Sequence, residues 1–201
     1  MNSPSEKESL PFYDDNAAAY ILSTKDLDLS ELYNQFLPHI PAGGLILDAG
    51  CGSGRDSRQF AQRGFQVEAI DASPRMVAAA GQYPGVQAKV QRLQDITTAN
   101  HYDGIWACAS LVHFPLEEIP SVLQRLINAL KPDGILFASF KHGAGQLVDA
   151  HRTFTIVNEE SLASICSELS ATQTIRTWVT TDLFSNNRVM WLNALQVKKS
   201  V

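Results

Sequence analysis

The stretch LILDAGCGSGRDS, Leu45 to Ser57, constrains the fold more than any other part of this chain. An apolar, strand-like run ends at Asp48 and meets Gly50, Gly52 and Gly54 at alternate positions. A helix-like segment, Arg55 to Arg63, follows at once and is closed by Gly64. Glycines at a strand-to-helix turn let the backbone pass close to a ligand where a Cβ would clash. The helix start beyond them offers unpaired N–H groups. Open α/β sheets hold nucleotide-like cofactors at such a turn, outside the carboxyl ends of their strands.

The acids narrow the choice of cofactor. A dinucleotide turn reads G-x-G-x-x-G and serves a pyrophosphate. Here the pattern is G-x-G-x-G, and Asp48 precedes the first glycine by two residues, where a carboxylate would repel a pyrophosphate. It would suit a ligand with an amino group or a sulfonium, such as S-adenosylmethionine. Asp71 ends the next strand-like run, FQVEAID, about twenty residues on, the spacing of an acid that accepts hydrogen bonds from ribose hydroxyls. Asp95 follows the third strand-like run, where an acceptor can hold an adenine amino group. Three acids at three successive strand ends lead to the expectation of a cleft lined with negative charge.

With these motifs the chain resembles the class I S-adenosylmethionine-dependent methyltransferases over residues 10–197. LDAGCGSG is similar to the family's first motif, EAID to its acidic second and QD to its adenine-side third. Tyr102 to Phe114 is similar to the fourth strand with its active-site end, and Leu130 to Phe140 to the fifth. More narrowly, FYDDNAAAY, CGSGRDSRQFAQRGF and SFKHG resemble small bacterial tellurite-resistance-related methyltransferases. The resemblance implies a Rossmann-like α/β fold: a seven-stranded, mostly parallel sheet, helices on both faces and a C-terminal antiparallel hairpin. It implies cofactor contacts from Tyr13, Tyr20, Asp48, Gly50, Cys51, Gly52, Arg55, Asp71, Ala72, Met76, Gln94, Asp95, Ile96 and Ala109. S-adenosyl-L-homocysteine would be the product.

The chain's 201 residues suit one domain with one large core. A net charge of −5 offers no basic footprint for nucleic acid. DNA amino-group methylation is disfavoured further, because Ala107 to Ser110 lacks the Asn/Asp-Pro-Pro-aromatic set that grips a flipped base. Cys51, Cys108 and Cys166 show no metal-ligand spacing, and no metal is expected. No run approaches the roughly 18 apolar residues of a membrane span, and the polar start is unlike a secretory signal. A cytoplasmic setting is expected.

Residues 1–9 read as a disordered tail and residues 10–201 as a single domain, whose N-terminal helical cap covers 10–40. Two helices are expected between Phe12 and Pro38. Strands are expected at 66–70, 86–93, 104–107 and 135–140, after the one that ends at Asp48. Ser73 caps a helix that begins with Pro74. Ile119, Val122, Leu123, Leu126, Ile127 and Leu130 share one helical face, and Asn158 caps a last helix. Residues 173–180 and 189–197 read as a hairpin joined around Ser185 to Arg188.

Methyl transfer needs alignment more than covalent help, so the absence of a nucleophile triad is neutral evidence. His113, after the fourth strand, is the candidate base or substrate contact. Lys141 and His142 are candidate substrate contacts ahead of a flexible Gly143-Ala144-Gly145, with His151 and Arg152 close behind. Together, residues 141–157 read as a substrate lid able to draw in an anion. The leading function is methyl transfer to a small molecule. A cofactor-binding protein without transferase activity, or a nicotinamide-dependent oxidoreductase, are the alternatives. The acceptor and the oligomeric state are not readable from the residues.

Overall fold

The computed structural model describes residues 6–149, 152–182 and 189–200. Strands β1 (Leu45–Ala49), β2 (Gln66–Asp71), β3 (Val86–Val90), β4 (Tyr102–Ala107) and β5 (Leu130–His142) pair in parallel in the order β3-β2-β1-β4-β5. Strand β9 (Met190–Lys198) lies antiparallel on β5, and β8 (Thr172–Thr181) antiparallel on β9. These seven strands are the mostly parallel sheet with an antiparallel C-terminal hairpin that the sequence implied. The link expected around Ser185 to Arg188 lies outside the described residues.

Two further strands were not foreseen. The segment expected to be a flexible lid instead forms a hairpin of β6 (Gly145–Asp149) and β7 (Arg152–Val157). Lys141 pairs with Ile156 of β7 on one side and with Trp191 of β9 on the other. The new hairpin therefore lies on the β4 side of β5, beyond the end of β4. It walls the carboxyl ends of the strands.

Alternation of side chains across a strand divides the core. On one face, Leu47, Ala49, Ile105, Ala107, Leu136 and Ala138 pack with helices α6 (Ile119–Ala129) and α7 (Glu159–Ser167). On the other, Ile46, Trp106, Ile135 and Phe137 pack with Tyr33 and Phe36 of α3 (Ser30–Phe36) and Phe60 of α4 (Arg55–Gln62). Trp106 is wholly buried and stacks on Phe137 with ring centres 3.9 Å apart. α5 (Pro74–Ala80) begins as expected, with the Ser73 side chain accepting from the Met76 N–H. Asn158 starts α7 with a full capping box.

The N-terminus departs from expectation in two ways. Helix α1 spans Glu6–Asp15, so residues 6–9 are helical and not part of a tail; residues 1–5 lie outside the described residues. α2 (Ala17–Thr24) follows, and α3 is a core helix, because Leu32, Tyr33 and Phe36 are buried beneath it. The cap is thus α1 and α2 alone. Replacing Trp106 by Ala should lower unfolding free energy by about 3–5 kcal/mol, measured by denaturant titration; a loss below about 1 kcal/mol would contradict this account of the core.

Candidate cofactor and acceptor cleft

The glycine turn between β1 and α4 needs three left-handed residues: Gly50, Gly52 and Gly54 have φ of 82°, 52° and 80°. A Cβ on Gly50 would come within 2.4 Å of Ser110, while one on Gly52 would meet no protein atom within 4 Å. Gly52 lines the main cavity, so the room it leaves belongs to that cavity. The Gly50 and Cys51 amides are bonded to the Ile70 carbonyl, which seats the turn on β2. Asp71, at the end of β2, accepts from the Gly52 N–H through Oδ2 and from the Ser73 N–H through Oδ1, each at 2.9 Å.

Beneath the turn lies a charge that sequence reading missed. Asp56, 4% exposed, accepts Tyr33 Oη at 2.6 Å and Trp106 Nε1 at 2.8 Å. It also accepts Arg55 Nε at 2.6 Å and Nη2 at 2.9 Å. Burial opposes its ionisation, but the Arg55 ion pair and these hydrogen bonds hold its carboxyl below the ordinary range. Arg55, expected to contact the cofactor, is held by Asp56, though it still lines the cavity. Asp48 is 2% exposed and takes the Ser57 hydroxyl at 2.5 Å. Burial, and then the Asp56 charge, push its carboxyl up to about 8.

A cavity of about 1610 Å³ opens above the strand ends. It gathers Tyr13, Tyr20, Gly50, Cys51, Gly52, Arg55, Asp71, Ala72, Met76, Ala109, His113 and Lys141 from the expected set. It leaves out Asp48, Gln94, Asp95, Ile96 and His142. Asp95 sits exposed on a 3₁₀ turn and Ile96 is buried. Gln91 and Leu93 take the place expected for Gln94 to Ile96. His142 points to α7, 3.0 Å from the Glu159 carboxylate. Of the three acids expected in the cleft, only Asp71 lines it, and the expectation of a three-acid lining is corrected accordingly. Cys51 is buried, and that burial raises its thiol pKa well above the ordinary value.

The opposite wall is aromatic. His113 Nδ1 lies 3.1 Å from the Thr153 carbonyl, which can only accept, so Nδ1 carries the proton. Nε2 then accepts from Tyr13 Oη at 2.8 Å. The Tyr13 ring stands edge-on to Tyr20 at 5.2 Å and to His113 at 5.4 Å. Lys141 Nζ lies 3.8 Å from the centre of Phe154, and Arg152 lies over Phe12 at 4.3 Å. Ala109 takes a left-handed φ of 56° at the end of β4, with its N–H on Ser139 Oγ. Arg152 of the expected basic segment lines the cavity, as do Phe154, Ser139 and Cys108, which were not expected there; His151 lies outside the described residues. Among the described residues no group of three or more His, Cys, Asp or Glu side chains is placed to hold a metal ion. No helix among them is long and apolar enough to cross a membrane.

Residues 46–134 match the methyltransferase domain family. A ubiquinone biosynthesis O-methyltransferase of Xanthomonas axonopodis pv. citri is 36% identical over 106 residues, 49% of this chain and 44% of that protein. The 1,6-didemethyltoxoflavin-N1-methyltransferase of Burkholderia thailandensis, solved with S-adenosylhomocysteine bound, superposes with a TM-score of 0.77 at 19% identity. That likeness covers 96% of this chain and 87% of the other. Residues 46–134 thus carry a methyltransferase domain, and the chain as a whole has the fold of that S-adenosylhomocysteine-bound methyltransferase. The [4+2]-cyclase SpnF shares this fold, with a TM-score of 0.78 at 15% identity over 100% of this chain and 98% of its own. The methyltransferase-fold chain spans less than half the length of the curated Xanthomonas relative it matches. The narrower likeness to tellurite-resistance-related proteins receives no support from these relatives.

Burial drives the His113 pKa down to about 4. The folded state thus favours neutral imidazole, and this contribution to stability is full above pH ~6.5 and is lost as pH falls from there through about 4. Imidazole C–H shifts followed by NMR should show His113 neutral until about pH 4; a midpoint near 6.5 would contradict the buried geometry.

Proposed function

We propose that the cleft binds S-adenosylmethionine and that the protein transfers a methyl group from it to the hydroxyl oxygen of a small molecule. The observation that carries this reading is the Gly50–Gly52 turn bonded directly to Asp71 at the edge of the cavity. The residues fit the cofactor: Gly52 leaves room no protein atom fills, and Asp71 is an acceptor at the strand end suited to ribose hydroxyls. Met76, 1% exposed, offers a polarisable wall for the adenine. Bound S-adenosylmethionine supplies an electrophilic methyl group on a sulfonium.

The protein's own part is positioning and proton uptake. Tyr13, Tyr20 and Phe154 exclude water from the acceptor side. His113 Nε2 carries a lone pair fixed in direction by the Thr153 carbonyl. Were an acceptor hydroxyl methylated here, with its C–O bond forming as the methyl–sulfur bond breaks, Nε2 would take up the hydroxyl proton. An oxygen that already carries a methyl group is a very strong acid, so a base with pKa about 4 is sufficient. Lys141 sits on the same wall and adds positive charge beside the acceptor. The Xanthomonas relative is named an O-methyltransferase, which accords with an oxygen acceptor.

The alternative, binding of the cofactor without methyl transfer, is not favoured by the relatives. Labelled methyl incorporation into a metabolite extract separates the two. Titration calorimetry tests the cofactor. S-adenosylhomocysteine should bind and NAD should not, and Asp71→Ala should weaken binding roughly ten- to hundredfold, the effect of losing hydrogen bonds to a charged group. Unchanged affinity in that variant, or preference for NAD, rejects the assignment.

A further inference from the structure

Helix α1 lines the cavity and packs on both α5 and β7. It is fastened on both sides. On the cofactor side the Ser73 hydroxyl donates to Asp14, and Ser73 stands two residues after Asp71. On the acceptor side Tyr13 donates to the Nε2 lone pair of His113 at 2.8 Å. That direction is fixed, because the Thr153 carbonyl requires the imidazole proton on Nδ1.

A phenol thus stands where a buried imidazole offers its only acceptor. The ring is held edge-on by Phe12, Tyr20 and His113, with centres 5.6, 5.2 and 5.4 Å away. The guanidinium of Arg152 lies 5.9 Å from the centre of the same ring. One lone pair accepts one strong hydrogen bond, so Tyr13 and an acceptor hydroxyl cannot both use it. We propose that Tyr13 is an internal stand-in for the acceptor: its phenol occupies the subsite of a single-ring aryl alcohol, which must displace it. This rests on the reading of His113 Nε2 as the hydroxyl site. Pro11 lies inside the helix that carries Tyr13 and removes one backbone donor. Its described side-chain ties are the Tyr13–His113 and Ser73–Asp14 hydrogen bonds and the Arg152 guanidinium packed on Phe12 and Tyr13.

The probe is 4-methylphenol, the tyrosine side chain without its backbone, with toluene as the control lacking a hydroxyl. Both are titrated into the full chain, with and without S-adenosylhomocysteine, and binding is read by calorimetry. Tyr13→Phe keeps the ring and removes the competing donor. It should bind 4-methylphenol roughly three- to tenfold more tightly than the natural chain, and toluene, which must displace the same ring, should gain by a similar factor while remaining the weaker ligand. Asp14→Ala, which cuts the other fastening, should shift 4-methylphenol in the same direction. Weaker or unchanged 4-methylphenol binding by Tyr13→Phe, or no binding to either form, overturns the proposal. Binding of S-adenosylhomocysteine to the natural chain is read in the same series, so failure of the cofactor reading is seen separately from failure of the stand-in.

Discussion

The cleft depends on one buried negative charge. Asp56 collects a bidentate arginine, a phenol and an indole, and these four donors come from α4 itself, from α3 and from β4. A buried carboxylate left without partners would cost several kcal/mol, so the network fixes where α4 starts relative to both neighbours. The glycine turn is the short segment between that start and β1. Its three left-handed residues have no freedom to drift once both ends are set. Asp48 is kept from ionising first by its burial and then by this same charge, beside which a second negative group would stand.

From this anchor the cavity divides into two chemical halves. The half over β1 and β2 offers glycine backbone and the Asp71 carboxylate. The half over β4, β5 and β7 offers a neutral imidazole, an aromatic cluster and the cations Lys141 and Arg152 packed on aromatic faces. α1 joins the halves through Asp14 and Tyr13. An arrangement of this kind positions two reactants and moves one proton. It asks nothing of the three cysteines, of which Cys108 is pushed by burial up to about 12.

Much of the frame was legible because its signals are local. The glycine turn, the Ser73-Pro74 and Asn158 caps and the apolar face of α6 each appear within a dozen residues of sequence. What stayed hidden is set by pairing or by direction. Strand β5 runs on to His142, so side chains alternate across it: Lys141 turns into the cavity and His142 turns to Glu159 on α7. Read as a loop, the two looked equivalent. The β6–β7 hairpin was missed because two glycines suggested flexibility, while its pairing to β5 is non-local. Asp48 and Asp95 do end strand-like runs, but position along a strand does not tell which way a carboxylate turns. Asp56 gave no signal at all, since its partners Tyr33 and Trp106 are distant in sequence.

The central claim is that the glycine turn and Asp71 together hold a nucleoside. A crystal structure with S-adenosylhomocysteine tests it most directly. The account predicts a ribose hydroxyl within hydrogen-bond distance of Asp71, and a ligand passing closest to the backbone at Gly50 and Gly52. A nucleoside seated elsewhere in the cavity, making no contact with Asp71, would contradict it.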